Sequence, residues 1–137
     1  MSKRVIVTGG AGYIGSHVCV DLLASGRDVL VVDDFSNSSP KALDRIAEIA
    51  GRKPDFIKAD LADPTGAALA AKAIKDCRPD GGVHLAGLKA VGESVADPVR
   101  YYAANLGSAL ALVRALEAAN ARTVVFSSSA TIYGELN

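Results

Sequence analysis

The segment Thr8-Gly9-Gly10-Ala11-Gly12-Tyr13-Ile14-Gly15 concentrates glycine between a short β-branched run and a stretch with helical periodicity. It satisfies two spacings at once: G-x-x-G-x-x-G through Gly9, Gly12 and Gly15, and G-x-G-x-x-G through Gly10, Gly12 and Gly15. Backbone without Cβ atoms lets a pyrophosphate approach closely, and the N-terminus of a following helix offers unpaired N–H groups and partial positive charge. Glycines alone mark any tight turn, and a turn without a ligand is the plain alternative. The context argues for a dinucleotide: a strand before the turn, a helix after it and an acid about 20 residues on. Each glycine inside a helix costs about 1 kcal/mol, so a ligand-free turn has little reason to carry so many. Asp33 is the acid, placed at the end of the next apolar run to accept hydrogen bonds from both hydroxyls of an adenine ribose. A carboxylate there repels a 2′-phosphate and no arginine follows it, so NAD is expected over NADP. Asp34 is the competing acid. His17, His84, Cys19 and Cys77 share no metal-ligand spacing. Buried or hydrogen-bonded structural histidines and buried, reduced thiols are expected instead, and no metal site.

These residues need a scaffold, and the apolar pattern supplies one. Arg4 to Val7 reads as a first strand. Ile14, Val18 and Leu22, with Cys19 and Leu23 beside them, give one face of a helix that Gly26 would cap. Asp28 to Val32 is a second strand, and Ser39-Pro40 an N-cap with proline in the first turn of a helix striped by Leu43, Ile46, Ala47 and Ala50 and closed by Gly51. Asp55 to Lys58 is a third strand, and Asp63-Pro64 opens a helix that must stop before Arg78-Pro79. Val83 to Ala86 reads as a fourth strand whose start Gly81-Gly82 loosens. Asp97-Pro98 opens the longest helix, to about Ala119, and Thr123 to Phe126 is a fifth strand. Continuous apolar strands alternating with helices imply a parallel sheet covered on both faces. The expected fold is α/β, a doubly wound Rossmann sheet with five strands in the order 3-2-1-4-5.

The 137 residues suit one domain, and half of them are hydrophobic against 22% charged, the balance of a globular protein. Lysine plus arginine and aspartate plus glutamate both total 15, so no global field favours nucleic acid or a membrane surface. No apolar run approaches the ~18–20 residues that span a bilayer. The run Val5-Ile6-Val7 is too short for a signal-peptide core, which leaves the cytoplasm as the expected compartment.

Three further blocks carry a resemblance: Asp33-Asp34-Phe35-Ser36-Asn37-Ser38, then Ala86-Gly87-Leu88-Lys89-Ala90-Val91-Gly92-Glu93-Ser94, then Phe126-Ser127-Ser128-Ser129-Ala130-Thr131-Ile132-Tyr133-Gly134. With the glycine turn and the Ser16-His17 that follows it, they resemble UDP-galactose 4-epimerases, members of the extended short-chain dehydrogenase/reductase family. The resemblance covers the whole chain, and the second block is its most specific part. It implies that Tyr13 and Ile14 line the pyrophosphate turn and that Asp33, Asp34, Phe35, Ser36, Asn37 and Ser38 surround the adenosine ribose. It further implies that Asp60 and Leu61 border the adenine. Leu85, Ala86, Gly87, Leu88 and Lys89 would run beneath the cofactor, Lys89 reaching the nicotinamide ribose. Ser129 would be catalytic, hydrogen-bonding the sugar 4-hydroxyl. Tyr133 is not the base, which in the family belongs to a Tyr-x-x-x-Lys motif. Tyr101 and Tyr102 are expected to pack rather than react.

The chain is accordingly expected to be the NAD-binding part of such an enzyme, residues 1–137, ending before Tyr-x-x-x-Lys and the domain that holds the UDP-sugar. By itself it should turn over little or no substrate. Its fifth strand, left at an edge, invites pairing with another chain. Two departures from the family stand out, Ala104-Asn105 in place of paired asparagines and Ser108-Ala109 in place of Gly-Thr. The alternatives are a nucleotide-sugar 4,6-dehydratase of the same family and a non-enzymatic NAD-binding module. The first usually carries a Thr-Asp-Glu-like run where Ser129-Ala130-Thr131 stands.

Overall fold

A computed structural model describes residues 3–88, 90–128 and 134. Five parallel strands alternate with helices: β1 (Arg4–Thr8), α1 (Tyr13–Ala24), β2 (Asp28–Asp33), α2 (Lys41–Ala50), β3 (Asp55–Lys58), α3 (Pro64–Cys77), β4 (Gly81–His84), α4 (Val91–Ala96), α5 (Pro98–Ala118) and β5 (Thr123–Phe126). The sheet order is β3-β2-β1-β4-β5, as the sequence implies. It reverses direction of growth at β1, so the carboxyl ends of β1 and β4 part around a crevice.

Successive strand residues face opposite sides, and both sides are packed. Ile6, Leu30 and Val32 meet Ile74, Leu112 and Leu116 of α3 and α5. Val7, Val29 and Val31 meet Cys19, Leu23, Leu43 and Ile46 of α1 and α2. This two-sided burial is why the central strands read as unbroken apolar runs. Asp63 caps α3 by accepting from the Gly66 amide at 3.0 Å, and Asp97 caps α5 by accepting from the Arg100 amide at 3.2 Å. Each is followed by proline at the first helical position, where its missing N–H costs nothing.

Several expectations shift. The buried face of α1 is Gly15, Cys19 and Leu23, while Ile14 is exposed and Val18 and Leu22 are flanks. The four-residue spacing found the right helix but centred its stripe one residue off. Pro40, not Ser39, holds the capping position of α2, although the Ser39 hydroxyl still accepts from the Lys41 amide at 3.3 Å. The fourth strand is Gly81 to His84 rather than Val83 to Ala86. Its glycines are there for close packing: a Cβ on Gly81 would stand 2.6 Å from the Thr123 carbonyl oxygen of β5. The six-residue α4 was not expected from the sequence. Among the described residues no helix is long and apolar enough to cross a membrane.

Candidate functional site

The glycine turn spans the gap from β1 to α1. Gly9 has φ +67° and its amide donates to the Val32 carbonyl at 2.8 Å, which fastens the turn to β2. A Cβ there would sit 2.9 Å from the Ala86 nitrogen, so only glycine lets β4's exit pass this close. A Cβ on Gly15 would collide with the Gly9 carbonyl oxygen. The first turn of α1, Tyr13-Ile14-Gly15-Ser16, carries no acid, leaving its positive end uncompensated.

Asp33, only 9% exposed, is both a wall of the site and its fastening. Its Oδ2 accepts from the Ala11 amide at 3.0 Å, and its Oδ1 accepts from the Phe35 amide at 2.8 Å and the Ser38 hydroxyl at 3.1 Å. A carboxylate offers about four acceptor positions, so these bonds leave room for a ligand donor. Asp34 differs: its Oδ1 closes a local turn, accepting from the amide and the hydroxyl of Ser36 at 3.0 and 2.8 Å. Cys19 lies below, its thiol 3.8 Å from the Gly10 carbonyl. Burial, with a smaller push from the Asp33 charge, raises that thiol to about 12, so it remains protonated and inert.

The segment after β4 forms the opposite wall. Thr8 Oγ1 accepts from the Leu85 and Ala86 amides at 3.1 and 3.2 Å. With both lone pairs taken, its hydroxyl proton points to His84 Nδ1, 2.7 Å away, which fixes that ring nitrogen as an acceptor. The His84 ring stacks on Phe126 with centroids 5.8 Å apart. Farther along, Asn105 of α5 clamps Leu88 from both sides, Oδ1 accepting from its amide at 2.7 Å and Nδ2 donating to its carbonyl at 3.1 Å. His84 is thus the buried structural histidine expected, whereas His17 is exposed, edge-on to Tyr13. Tyr101 is buried and donates to Glu93 Oε2 at 2.8 Å, while Tyr102 is exposed. Among the described residues no cluster of potential metal ligands occurs.

These walls enclose a cleft of about 680 Å³ at the carboxyl ends of the strands, within the range of small-molecule sites. Gly9, Gly12, Tyr13, Ile14, Gly15, Asp33, Asp34, Ser36, Asn37, Ser38, Asp60, Leu61 and Leu85 through Leu88 all line it. Gly10 is not among the lining residues, so the cleft follows the G-x-x-G-x-x-G spacing. Phe35 is absent from the lining as well; its ring packs edge-on against Phe56 with centroids 6.2 Å apart. Lys89 and Ser129 lie outside the described residues. Arg100, Ala104 and Ser108 form a third wall from one face of α5; the sequence marked positions 104 and 108 as departures from the family but did not point to Arg100. Their i, i+4, i+8 spacing was the available signal for Arg100, since it puts all three on one helical face.

Residues 5–137 match the NAD dependent epimerase/dehydratase family. The UDP-glucose 4-epimerase of Bacillus subtilis is 49% identical over 130 residues, covering 95% of this chain and 38% of that protein. The crystal structure of the Stenotrophomonas maltophila UDP-glucose 4-epimerase with bound NAD and formylated UDP-arabinopyranose superposes with a TM-score of 0.90 at 41% identity. It covers 98% of this chain and 39% of that one. The Bifidobacterium longum UDP-glucose 4-epimerase, in complex with NAD+ and UDP, gives 0.89 at 45% identity, covering 96% and 38% respectively. The chain therefore spans about 38% of the length of the first curated relatives it matches.

Proposed function

The chain belongs to the NAD dependent epimerase/dehydratase family, and from that membership we propose that residues 1–137 form the NAD-binding domain of a UDP-glucose 4-epimerase. The observation that carries this reading is the convergence of the glycine turn, Asp33 and the Leu85–Leu88 segment on one cleft of about 680 Å³. The fit is in the chain's own atoms: a Cβ at Gly9 would meet the Leu85–Ala86 backbone and one at Gly15 the Gly9 carbonyl, so only glycines close the turn this tightly against the strand ends. In this reading the amides at the start of α1 hold the pyrophosphate, and Asp33 takes the ribose hydroxyls of the adenosine. Asp60 and Leu61 border the adenine, and Leu85 to Lys89 support the nicotinamide half. Ser129 positions the 4-hydroxyl of a UDP-sugar, the substrate class of the relatives. Bound NAD supplies the acceptor and donor for transient oxidation at that sugar's C4. The partner base expected from the family is a tyrosine of a Tyr-x-x-x-Lys pair, a spacing these 137 residues do not contain.

Free Cys19 and Cys77 suit a reducing compartment, and the cytoplasm is the proposed location. Self-association through the outer edge of β5 belongs to the same proposal. The test is calorimetric titration of the chain with NAD and with NADP. NAD should bind at least about tenfold more tightly, a difference of ~1.4 kcal/mol, because Asp33 repels the 2′-phosphate. Equal affinities would remove the role given to Asp33, and no binding of either would overturn the proposal.

A further inference from the structure

The charges lining the cleft do not balance. Asp33, Asp34 and Asp60 are anionic, and among the described residues of the lining Arg100 is the one cation. A pyrophosphate brought into such a cleft must be compensated by more than the amides at the start of α1, which carry only about half an elementary charge. Arg100 stands in the first turn of α5, one helical turn before Ala104 and two before Ser108. On that wall nothing else is positioned to donate into the cleft: Ala104 offers a methyl group, and the Ser108 hydroxyl is spent on the Asn105 carbonyl at 3.2 Å. Arg100 also borders a smaller adjoining cavity of about 230 Å³, together with Ser36, Asn37, Leu88, Ala90, Glu93 and Tyr101. Ser36 and Asn37 belong to the loop after β2 and Leu88 to the segment after β4, so Arg100 stands where the two halves of the cleft meet.

The guanidinium is lightly held. Its ion-pair partner is Glu93, at 3.6 Å, and both side chains are more than half exposed. Such a pair is weak, and at that distance it satisfies none of the five N–H donors well. Glu93 is itself anchored, since the Tyr101 hydroxyl donates to the same Oε2 at 2.8 Å. The carboxylate therefore parks the guanidinium beside the cleft without saturating it.

We infer that Arg100 is a cofactor-binding residue, supplying charge-assisted hydrogen bonds that hold the pyrophosphate of the dinucleotide from the α5 wall. This rests on the NAD-binding reading above and adds to it a residue that neither the glycine turn nor Asp33 implies. Phosphate recognition of this kind is a task for which the planar guanidinium is well shaped.

The experiment titrates the chain, its Arg100→Gln and Arg100→Lys variants and Glu93→Gln with NAD, ADP and adenosine at low and moderate salt. Arg100→Gln should weaken NAD and ADP by about tenfold, leave adenosine unchanged and flatten the salt dependence. Arg100→Lys should recover part of the loss, and Glu93→Gln should bind ADP as tightly as the parent chain or more so. Unaltered ADP affinity in Arg100→Gln, or an equal loss for ADP and adenosine, overturns the inference. Unaltered thermal stability of the variants separates lost binding from lost structure. Failure of the parent chain to bind NAD and ADP at all would instead overturn the underlying reading.

Discussion

Thr8 illustrates how much of the site hangs on single polar atoms. Its side chain is fully buried, and its Oγ1 satisfies the Leu85 and Ala86 amides while donating to His84 Nδ1. Thr8→Val keeps the shape and deletes every one of those bonds, leaving a buried imidazole nitrogen and the Ala86 amide to find other partners. Each buried polar group left unsatisfied costs about 1–3 kcal/mol. Thr8→Val should therefore lose on the order of 2 kcal/mol in urea unfolding and weaken NAD binding, whereas Thr8→Ser should recover both. A valine variant as stable as the parent would show that the hydroxyl network is incidental. Legibility at this scale divided by sequence distance. The glycine turn and Asp33 could be read because they sit within one βαβ unit, each beside the element that positions it. Arg100 and the clamp of Asn105 on Leu88 could not, because the crossover through α5 brings them beside segments distant in sequence. Phe35 shows the converse: its block placed it in the adenosine loop, but an apolar ring found Phe56 rather than the cleft.

At the scale of elements, local pattern located β1, β2, β3, α3, α5 and β5 to within a residue, because runs, caps and proline breaks are local signals. It failed where tertiary packing overrides propensity. Gly81 and Gly82 are poor strand formers, yet they open β4, pairing with Val5 and Ile6 of β1 and with Thr123 and Val124 of β5. The reason is space, since a side chain on Gly81 would press into the Thr123 backbone and one on Gly82 would meet Leu116 at 3.0 Å. Gly81→Val consequently improves strand propensity and should nonetheless destabilise the protein by about 1–3 kcal/mol through overpacking. Chemical denaturation measures this directly, and a neutral or stabilised variant would mean that propensity, not packing, governs the strand. The short α4 escaped notice for a related reason. Six residues give less than two turns of periodicity, and Ala90 at its cap makes no side-chain hydrogen bond that a reader could anticipate.

Across the whole molecule the two edges of the sheet are managed differently. On β3 the outer residues include Asp55 and Lys58, charges that discourage a neighbouring strand, and Asp55 is further engaged by Arg4 at 3.6 Å. Thr-Val-Val-Phe of β5 has no charge, and Val124, Val125 and Phe126 are 40%, 57% and 62% exposed. Its partner strand among the described residues is β4, which leaves the far side of its backbone ladder open. An edge that is short but apolar and uncharged is a template for another chain, and the proposed self-association should begin there rather than at β3. Sedimentation of the chain over a range of concentrations should detect association, and Val125→Lys should suppress it while Phe56→Lys on the opposite edge does not. Both substitutions fall on exposed positions, so neither should alter the melting temperature by more than a few degrees. A monomer at high concentration would sink the proposal outright. Association that survives Val125→Lys would move the contact to another exposed apolar surface, such as the outer face of α5 with Tyr102, Leu106 and Leu110.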